Sequence, residues 1–518
     1  MNKMILLLIV LCLSITSNYA AQQGNIYIDN QPCASFQRSI GYNAPLPDGY
    51  PYYPIGIITF RGDNFRRNAA FGVANVENEA LSVLWEAPVS SFPAENGEAL
   101  SGIGWPGQPV IVHWTKEVRE GMNLYEEKKE RIALSEVIFA AQDGKIYFLD
   151  LRDGTPTRDP ISVGWPMRSG VSVDVCDRPL LAVGQSACRL ENGEACPAGL
   201  RLFNLISGEE IFFLSGQQYA GQAQPSESGA FDGSPLFLFD GQEGVDAMVA
   251  AGEDGLLYTV DLNGKFHYPI SMAPDIAMSL SILPEVTCLR TAAVQGQGGT
   301  PGSVAMFGKY IFMGDSSGVV RCVNSDTMTD LWSADCGGSV DAAPALDLDE
   351  AGALGLYIGN ACQTTASIRR LSALTGDEIW RYEIPCGADE SRLSGCKASP
   401  VIGQNAISDL VVFTVNQVEG GSRVIALDKS TGQAVWEHAL AEEAISSPVA
   451  VYNENSEAWI LQGDDGGNLT MLAGRTGEKR FSINLGGPIQ GSPAVYKNYL
   501  VVGTCGKAYA SVYCVSIE

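Results

Sequence analysis

A strand-turn-strand stretch that recurs along the chain is the feature that most limits its fold. Residues 426–436 read ALDKSTGQAVW, in which an apolar strand leads to a turn at Asp428 and Gly432, and a second strand follows with Val435 and Trp436. The glycine can take the positive φ that such a turn needs. Because one hairpin buries too little surface to be stable alone, its recurrence predicts a repeat protein.

The pattern returns in several places with a similar distance between its turn and its closing aromatic residue. Further copies, with Met328 replacing the glycine in the second of them, occupy residues 371–380, 322–332, 203–213, 471–481, 148–154 and 258–266. A small residue followed by Pro marks the repeat a second time, and Pro344, Pro400, Pro448 and Pro493 follow one another at intervals of 56, 48 and 45 residues. A period of this length, made of several short strands, is typical of a β-propeller blade.

The two ends of the repeat region complement each other. Residues 81–89 (LSVLWEAPV) form a Trp strand with no hairpin before it, whereas residues 491–518 end before their own Trp strand. We therefore predict an all-β fold over residues 81–518, an eight-bladed β-propeller closed by the N-terminal strand. Residues 22–80 are expected to be an irregular N-terminal arm, residues 116–131 an exposed insertion and residues 274–300 a long connection.

The N-terminus and the charge of the chain indicate an exported protein. Lys3 precedes an apolar run at residues 4–15, and small residues follow at Ala20 and Ala21, which is the layout of a signal peptide over residues 1–21. No later stretch is apolar for long enough to span a membrane. A net charge of −26 with only 33 Lys and Arg disfavours nucleic-acid binding. We expect a secreted or periplasmic monomer.

Cysteine usage fits the same compartment. Of the 13 cysteines, all but Cys12 follow the signal peptide, which favours disulfides over metal ligation. Spacing within one hairpin or one inter-blade loop predicts three disulfides, which join Cys188 to Cys196, Cys386 to Cys396 and Cys505 to Cys514. The pairing of the others stays open: Cys33, Cys176, Cys288, Cys322, Cys336 and Cys362.

Few residues point to catalysis or to metal binding. The three histidines lie in different blades, at spacings that make no metal site or nucleophile pair. Asp347 and Asp349 precede an apolar strand, where a bare turn is favoured and a structural Ca²⁺ is the alternative. The sequence Arg61-Gly62-Asp63 matches a short integrin-binding pattern, but we interpret it as a salt-bridged turn among buried phenylalanines.

With the repeated hairpin, the predicted blade count and the closing strand, residues 81–518 resemble the pyrroloquinoline-quinone-like β-propeller superfamily. That superfamily includes quinoprotein alcohol dehydrogenases and the outer-membrane assembly propeller lipoproteins. The resemblance implies that the repeat tryptophans dock on the neighbouring blade near the turn glycine, a role that we assign to Trp85, Trp332, Trp380 and Trp436. It specifies the fold far more closely than the function.

Enzymatic members of the superfamily imply a quinone over the central channel, a Ca²⁺ ion, a catalytic Asp and often a disulfide between adjacent cysteines. This sequence has no adjacent cysteines and no C-x-x-C-H haem motif. We therefore predict a binding or scaffold module for a protein or carbohydrate partner, without catalysis and without a cofactor. A quinoprotein alcohol or sugar dehydrogenase that depends on the quinone and Ca²⁺ is the alternative.

Overall fold

Repetition of the hairpin in sequence becomes repetition of one small sheet in space. The structure, a computed structural model, describes residues 25–29, 31–38, 44, 55–94, 97–174, 179–190, 192–216, 229–238, 246–264, 286–296, 298–386, 393–419, 421–506 and 509–518. The signal peptide expected at residues 1–21 lies outside these ranges. Within them the fold is all-β and propeller-like, with eight sheets of four or more strands, which we number in chain order of their first strands.

Each sheet is an antiparallel meander in which a strand pairs with the next one in sequence, except that sheet 8 takes its fourth strand from the N-terminal part of the chain. The strands of sheet 1 are Val110–His113, Ser135–Ala140, Lys145–Asp150 and Ile161–Ser162, and those of sheet 2 are Val171–Val173, Leu180–Gln185, Gly199–Asn204 and Glu210–Ser215. The strands of sheet 3 are Leu236–Leu238, Asp246–Ala251, Leu256–Gly264 and Val286–Gln295, and those of sheet 4 are Ala305–Phe307, Tyr310–Gly314, Val319–Asn324 and Thr329–Asp335. The strands of sheet 5 are Ala345–Leu348, Leu354–Gly359, Thr365–Ser372 and Glu378–Pro385, and those of sheet 6 are Val401–Ile402, Leu410–Val415, Arg423–Asp428 and Ala434–Ala439. The strands of sheet 7 are Val449–Tyr452, Ala458–Gly463, Asn468–Ala473 and Lys479–Asn484, and those of sheet 8 are Ala494–Tyr496, Tyr499–Gly503, Ala510–Ile517 and Leu81–Val89.

Burial falls from the inner to the outer strands of a sheet, and the sequence reflects it. In sheet 6 every residue of Leu410–Val415 is buried, which explains its uninterrupted apolar run, whereas Ala434–Ala439 buries only Trp436. A bulge sits beside Trp436, where the register shifts between Ala426 and Leu427. Because of that shift, Val435 faces outward and is 46% exposed.

The repeat tryptophans connect neighbouring sheets. The indole Nε1 of Trp380 donates to the carbonyl of Lys429 in sheet 6 at 2.8 Å. Its ring lies against Gly432, where φ is +71° and an added Cβ would be 2.6 Å from the indole, so that the turn needs glycine for both reasons. The same contact joins Trp332 to Gly376, Trp436 to Gly477 and Trp85 to Gly154. The docking role that we assigned to these four residues is what the structure shows.

The core therefore lies between adjacent sheets rather than at one centre. Sheets 6 and 7, for example, share a buried cluster that includes Val412, Val424, Trp436, Ile460 and Leu472. Such pairwise cores are expected when one supersecondary unit is repeated and each unit contacts only its neighbours.

Two segments differ from what the sequence led us to expect. The long connection predicted at residues 274–300 contains a strand, Val286–Gln295, which is the fourth strand of sheet 3. The insertion at residues 116–131 contains two short helices, Lys116–Gly121 and Glu126–Lys129. It is not wholly exposed, because Lys128 is buried and donates to Asp150 at 3.1 Å. One further helical turn, of the 3₁₀ type, spans Asn405–Ile407.

The N-terminal arm is more ordered than its composition indicates. Ile26–Ile28 and Gln31–Cys33 extend the outer edge of sheet 3, Ile55–Ile57 pairs with sheet 1, and Ala70–Phe71 pairs with sheet 8. Two small sheets complete the strands: Ser91–Pro93 and Ala99–Gly102 pair with Cys505–Gly506, and Ala361–Cys362 pairs with Ser394–Gly395. In the part of the chain that the structure describes, no helix is long and apolar enough to cross a bilayer.

Candidate functional site at the axis

Residues 55–71, which we call the axial segment, contact the first strand of one sheet after another. The segment begins as a strand on Val110–His113 of sheet 1. It then accepts hydrogen bonds from backbone amides of sheets 2, 4, 5, 6, 7 and 8, which are those of Val173, Met306, Leu346, Ile402, Ala450 and Val495. At sheet 3, Thr59 Oγ1 donates to Pro235 O at 3.3 Å. A segment this short reaches every sheet only if their first strands surround a common axis.

Two arginines of the axial segment fill the axis. Arg61 and Arg66 are fully buried, and each has a φ of +58°. Arg61 donates from Nη2 to the carbonyl of Pro400 at 2.8 Å and from Nη1 to that of Pro448 at 2.5 Å. Burial lowers the pKa of Arg61, and the nearby Asp63 carboxylate opposes that shift. Backbone carbonyls at the start of the first strands thus take the place of water around the guanidinium.

The Arg61-Gly62-Asp63 sequence is inaccessible as a ligand. Arg61 points into the axis, and Asp63 accepts instead from Arg67 Nε at 3.0 Å. The turn that we expected is present, but its ion pair involves Arg67 rather than Arg61. Nothing in the sequence alone distinguished these two arginines.

The small-residue-Pro steps form a belt around the same axis. The amide of Ser399 donates to Ser447 Oγ at 3.0 Å, and the amide of Ser447 donates to Ser492 Oγ at 3.1 Å. Further links of this kind join Ala343 to Ser399 and Ser234 to Ser303. In each of these links a serine hydroxyl just before the first strand of one sheet accepts from the amide at the corresponding position of the preceding sheet, which gives the second sequence marker a physical reason.

One end of the axis is lined by the connections between sheets and by the turns between second and third strands; we call this end the mouth. Trp105, which precedes sheet 1, donates from Nε1 to the carbonyl of Lys397 before sheet 6 at 3.0 Å. This bond joins connections that are far apart in the order of the sheets, so Trp105 lies across the mouth. Asp232 accepts from Ser186 Oγ at 2.5 Å, and Ser186 Oγ accepts from the Arg168 amide.

Carboxyl groups dominate the electrostatics of the mouth. Burial, and then the carboxylates of Asp232, Asp341 and Asp254, raise the pKa of Glu253 to about 8. Burial also raises the pKa of Asp254 to about 6 and that of Asp341, which Lys397 partly offsets. Burial and the neighbouring carboxylates therefore favour the protonated form of Glu253. We did not single out these residues in the sequence, because each looks like ordinary turn chemistry and only the ring brings them together.

The quinone of the enzymatic superfamily members gives a chemical comparison for the charges at the mouth. That cofactor carries several carboxylates, which need cations or backbone donors, whereas the mouth sets Arg168 and Lys397 against the acidic groups just described. Within the described ranges, no group of three or more His, Cys, Asp or Glu side chains is arranged to hold a metal ion.

The carboxylates proposed for calcium have protein cations as partners. Asp347 Oδ2 lies 2.8 Å from Lys429 Nζ, and Asp349 Oδ2 lies 3.1 Å from Arg370 Nη2. The other oxygen of Asp349 accepts from the amides of Ala351 and Ala353 at 3.1 and 2.8 Å. Asp347 and Asp349 thus lie at a turn closed by ion pairs, where a Ca²⁺ ion stays the alternative.

The predicted disulfides have different outcomes. Cys188 and Cys196 are bonded, with Cα atoms 5.3 Å apart, across the turn between the second and third strands of sheet 2. The pairing of Cys505 with Cys514 is wrong, because the register places Cys514 opposite Val501 while Cys505 pairs with Gly102.

The pairing of Cys386 with Cys396 is also wrong. Cys396 is fully buried with its side chain against Gly359, and the sulfur nearest to that of Cys386 belongs to Cys362. Cys33, Cys322 and Cys336 carry free thiols. Cys176 and the side chain of Cys288 lie outside the described part of the chain.

Comparisons with known proteins give one family and several distant structural matches. The sequence profile of a family described as outer membrane protein assembly factor BamB matches residues 248–456 and 420–515. No curated protein sequence matches the chain. The crystal structure of the computationally designed Ika8 protein is similar at 12% identity with a TM-score of 0.44, over 86% of this chain and 99% of that one. A europium-containing methanol dehydrogenase is similar at 10% identity with a TM-score of 0.41, over 89% and 98%.

Proposed function

Because the chain belongs to the family described as outer membrane protein assembly factor BamB, we propose that it is a non-catalytic scaffold of the cell envelope that binds a protein partner. The observation that carries this proposal is the axial segment. The axis at the level of the first strands is occupied by the chain's own Arg61 and Arg66, both fully buried. A ligand therefore meets the faces and the rim of the molecule rather than its interior.

The finer architecture belongs to the same proposal. We take the eight sheets as the blades of one closed ring, with Leu81–Val89 as the closing strand. Support comes from its pairing with Ala510–Ile517 and from the docking of Trp85 on Gly154 of sheet 1, which repeats the contact between other neighbouring sheets. Closure of this kind removes the exposed edges that an open array of strands would leave.

Export is the third part of the proposal. The Cys188–Cys196 disulfide supports an oxidising compartment, and the apolar run at residues 4–15 supports a signal peptide. We propose a secreted or periplasmic location for a chain that acts as a monomer towards its partner. A carbohydrate partner has less support, since the family name refers to protein assembly.

A quinoprotein dehydrogenase remains the competing function. It would require a site for an anionic quinone at the mouth, where carboxyl groups outnumber the nearby cations Arg168 and Lys397. The two functions predict different ligands for the same face, so one set of measurements separates them.

Site-directed photo-crosslinking tests the proposal. A photoreactive amino acid replaces Tyr509, which is 92% exposed in the turn between the second and third strands of sheet 8, at the mouth. The matched control replaces Ile132, which is fully exposed before the second strand of sheet 1, at the opposite end. We expect the Tyr509 position to crosslink one envelope protein that also co-purifies with the untreated chain, and the Ile132 position to give none.

Two results would overturn it. Equal crosslinking from both positions would remove the mouth as the binding face. Stoichiometric binding of pyrroloquinoline quinone in the presence of Ca²⁺, seen as a retained chromophore after gel filtration, would favour the dehydrogenase.

A further inference from the structure

Two thiols approach each other where sheet 5 leads into the connection towards sheet 6. Cys362 follows the second strand of sheet 5, and Cys386 follows its fourth strand. Their Sγ atoms lie 3.7 Å apart, and both residues are partly exposed. Because Cys362 and Cys386 stand at the same end of the hairpin formed by Thr365–Ser372 and Glu378–Pro385, a bond between them would close the open end of that hairpin.

Backbone contacts hold the two cysteines in this position. The amide of Cys386 donates to the carbonyl of Thr364 at 2.9 Å, and Ala361–Cys362 pairs with Ser394–Gly395. Gly395 allows this approach, since its φ is +124° and an added Cβ would lie 2.5 Å from the carbonyl oxygen of Asn360. The sulfur atoms are therefore brought together by the main chain and not by a chance side-chain orientation.

The other cysteines nearby are not available to either thiol. Cys396 is fully buried beside Gly359, where a Cβ would lie 2.6 Å from its sulfur, and burial raises the pKa of its thiol. Cys336 is buried too, and its Sγ lies 3.9 Å from the carbonyl oxygen of Ala334. Exchange with a dissolved disulfide requires that the attacking sulfur be accessible to solvent. Cys362 and Cys386 are partly exposed, whereas Cys336 and Cys396 are buried.

We propose that Cys362 and Cys386 form a second disulfide of this protein when it meets a disulfide oxidant such as oxidised glutathione. One cysteine thiolate attacks the glutathione disulfide, forms a mixed disulfide and releases one glutathione thiolate. The other cysteine then attacks the protein-bound sulfur of the mixed disulfide and releases the second glutathione. The two cysteine sulfurs lose two electrons to the glutathione disulfide, and their two protons pass to the two glutathione thiols.

The bond would fix the mouth side of sheet 5. It spans 24 positions of the chain and encloses the hairpin that carries Trp380. The Cys188–Cys196 disulfide also lies in a turn between second and third strands, so both bonds would stiffen loops at the mouth. The loops at the mouth would then have lost conformational freedom before a partner binds, which lowers the entropic cost of binding.

Peptide mapping tests the proposal on the full-length protein. Protein held in oxidised glutathione, and a sample held in dithiothreitol, are denatured in excess N-ethylmaleimide, digested without reductant and analysed by mass spectrometry. Burial and the neighbouring Cys362 raise the pKa of Cys386 to about 11, so the exchange is carried out at mildly alkaline pH. The peptide that links Cys188 to Cys196 shows in each sample whether oxidation was complete.

We expect a peptide that links Cys362 to Cys386 in the oxidised sample and its complete loss in the reduced one. Cys396→Ser should keep the linked peptide, whereas Cys386→Ser should abolish it and leave Cys362 alkylated or bound to glutathione. Because the comparison of the two wild-type samples needs no variant, a folding defect in either mutant leaves the test intact. A peptide linking Cys386 to Cys396, or alkylation of both Cys362 and Cys386 while Cys188–Cys196 is fully bonded, would overturn the proposal.

Discussion

Replacing Arg66 by Met tests whether the axial segment stabilises the whole molecule. Arg66 Nε donates to the carbonyl of Val304 at 2.8 Å, and Nη1 donates to the carbonyl of Phe60 and to Thr59 Oγ1, both at 2.7 Å. Methionine keeps much of the length and apolar volume of the side chain but none of its donors. Both side chains face the same backbone cost at a φ of +58°, so the change isolates the polar contacts.

The expected loss follows from the groups left without this donor. A buried carbonyl that loses its hydrogen bond costs about 1 to 3 kcal/mol, and Val304 and Phe60 are both affected. Part of this loss is offset because a charge no longer has to be buried. We expect Arg66→Met to lower the free energy of unfolding by about 2 to 5 kcal/mol, which is large against a typical stability of roughly 5 to 15 kcal/mol.

The neighbouring arginine provides the matched control. Arg67 is 20% exposed and pairs with Asp63 on the same turn, so Arg67→Met should cost less than Arg66→Met. Urea unfolding followed by tryptophan fluorescence gives the midpoint for each variant and, from its slope, shows whether the transition remains comparable. Equal midpoints for the two variants would refute the idea that the axial arginine contributes to global stability.

Two other predictions concern ring closure and the mouth. Trp85→Ala and Trp436→Ala should each cost about 3 to 5 kcal/mol of unfolding free energy, since both indoles dock on a neighbouring glycine turn, and a near-zero cost for Trp85 alone would contradict closure by the N-terminal strand. The pKa of Glu253 is about 8 in the folded protein, above its usual value in an unfolded chain, so the folded state holds a proton that the unfolded state has released. The contribution of Glu253 to stability should therefore be fully present below the unfolded value and be lost as pH rises through that window, and Glu253→Gln should flatten the slope of the urea midpoint against pH; parallel curves for the two proteins would rule this out.

The repeat, its tryptophans and its turns could be predicted from the sequence because they are local. Gly432 and Trp436 each occupy a position whose requirements are set within a few residues, by a left-handed turn and by an indole that must be buried. The same holds for Asp349, whose side chain bonds to amides two and four residues further on. For these positions spacing carries most of the structural information.

The axial segment, the acidic mouth and the cysteine neighbours could not be predicted because they depend on distant parts of the chain. Arg61 and Arg67 look alike in sequence, yet one reaches Pro400 and the other Asp63. The short distance from Cys386 to Cys396 along the chain favoured their pairing. Cys386 instead lies beside Cys362, where Ala361–Cys362 pairs with Ser394–Gly395. The fourth strand of sheet 3 was not predicted, because a long segment separates it from the third strand in sequence.

The position of the axial segment also fixes an order of events during folding. Arg61 is synthesised early, but one of its acceptors, Pro448, lies 387 residues later in the chain. The carbonyl of Ala69 accepts a hydrogen bond from Val495 of the last sheet, which is synthesised later still. Because the segment touches every sheet, its contacts are complete only after the last sheet has formed. Folding of this kind relies on contacts between remote residues and is slow. Until the last sheet has formed, the chain carries open strand edges, and in this interval it depends most on protection from aggregation.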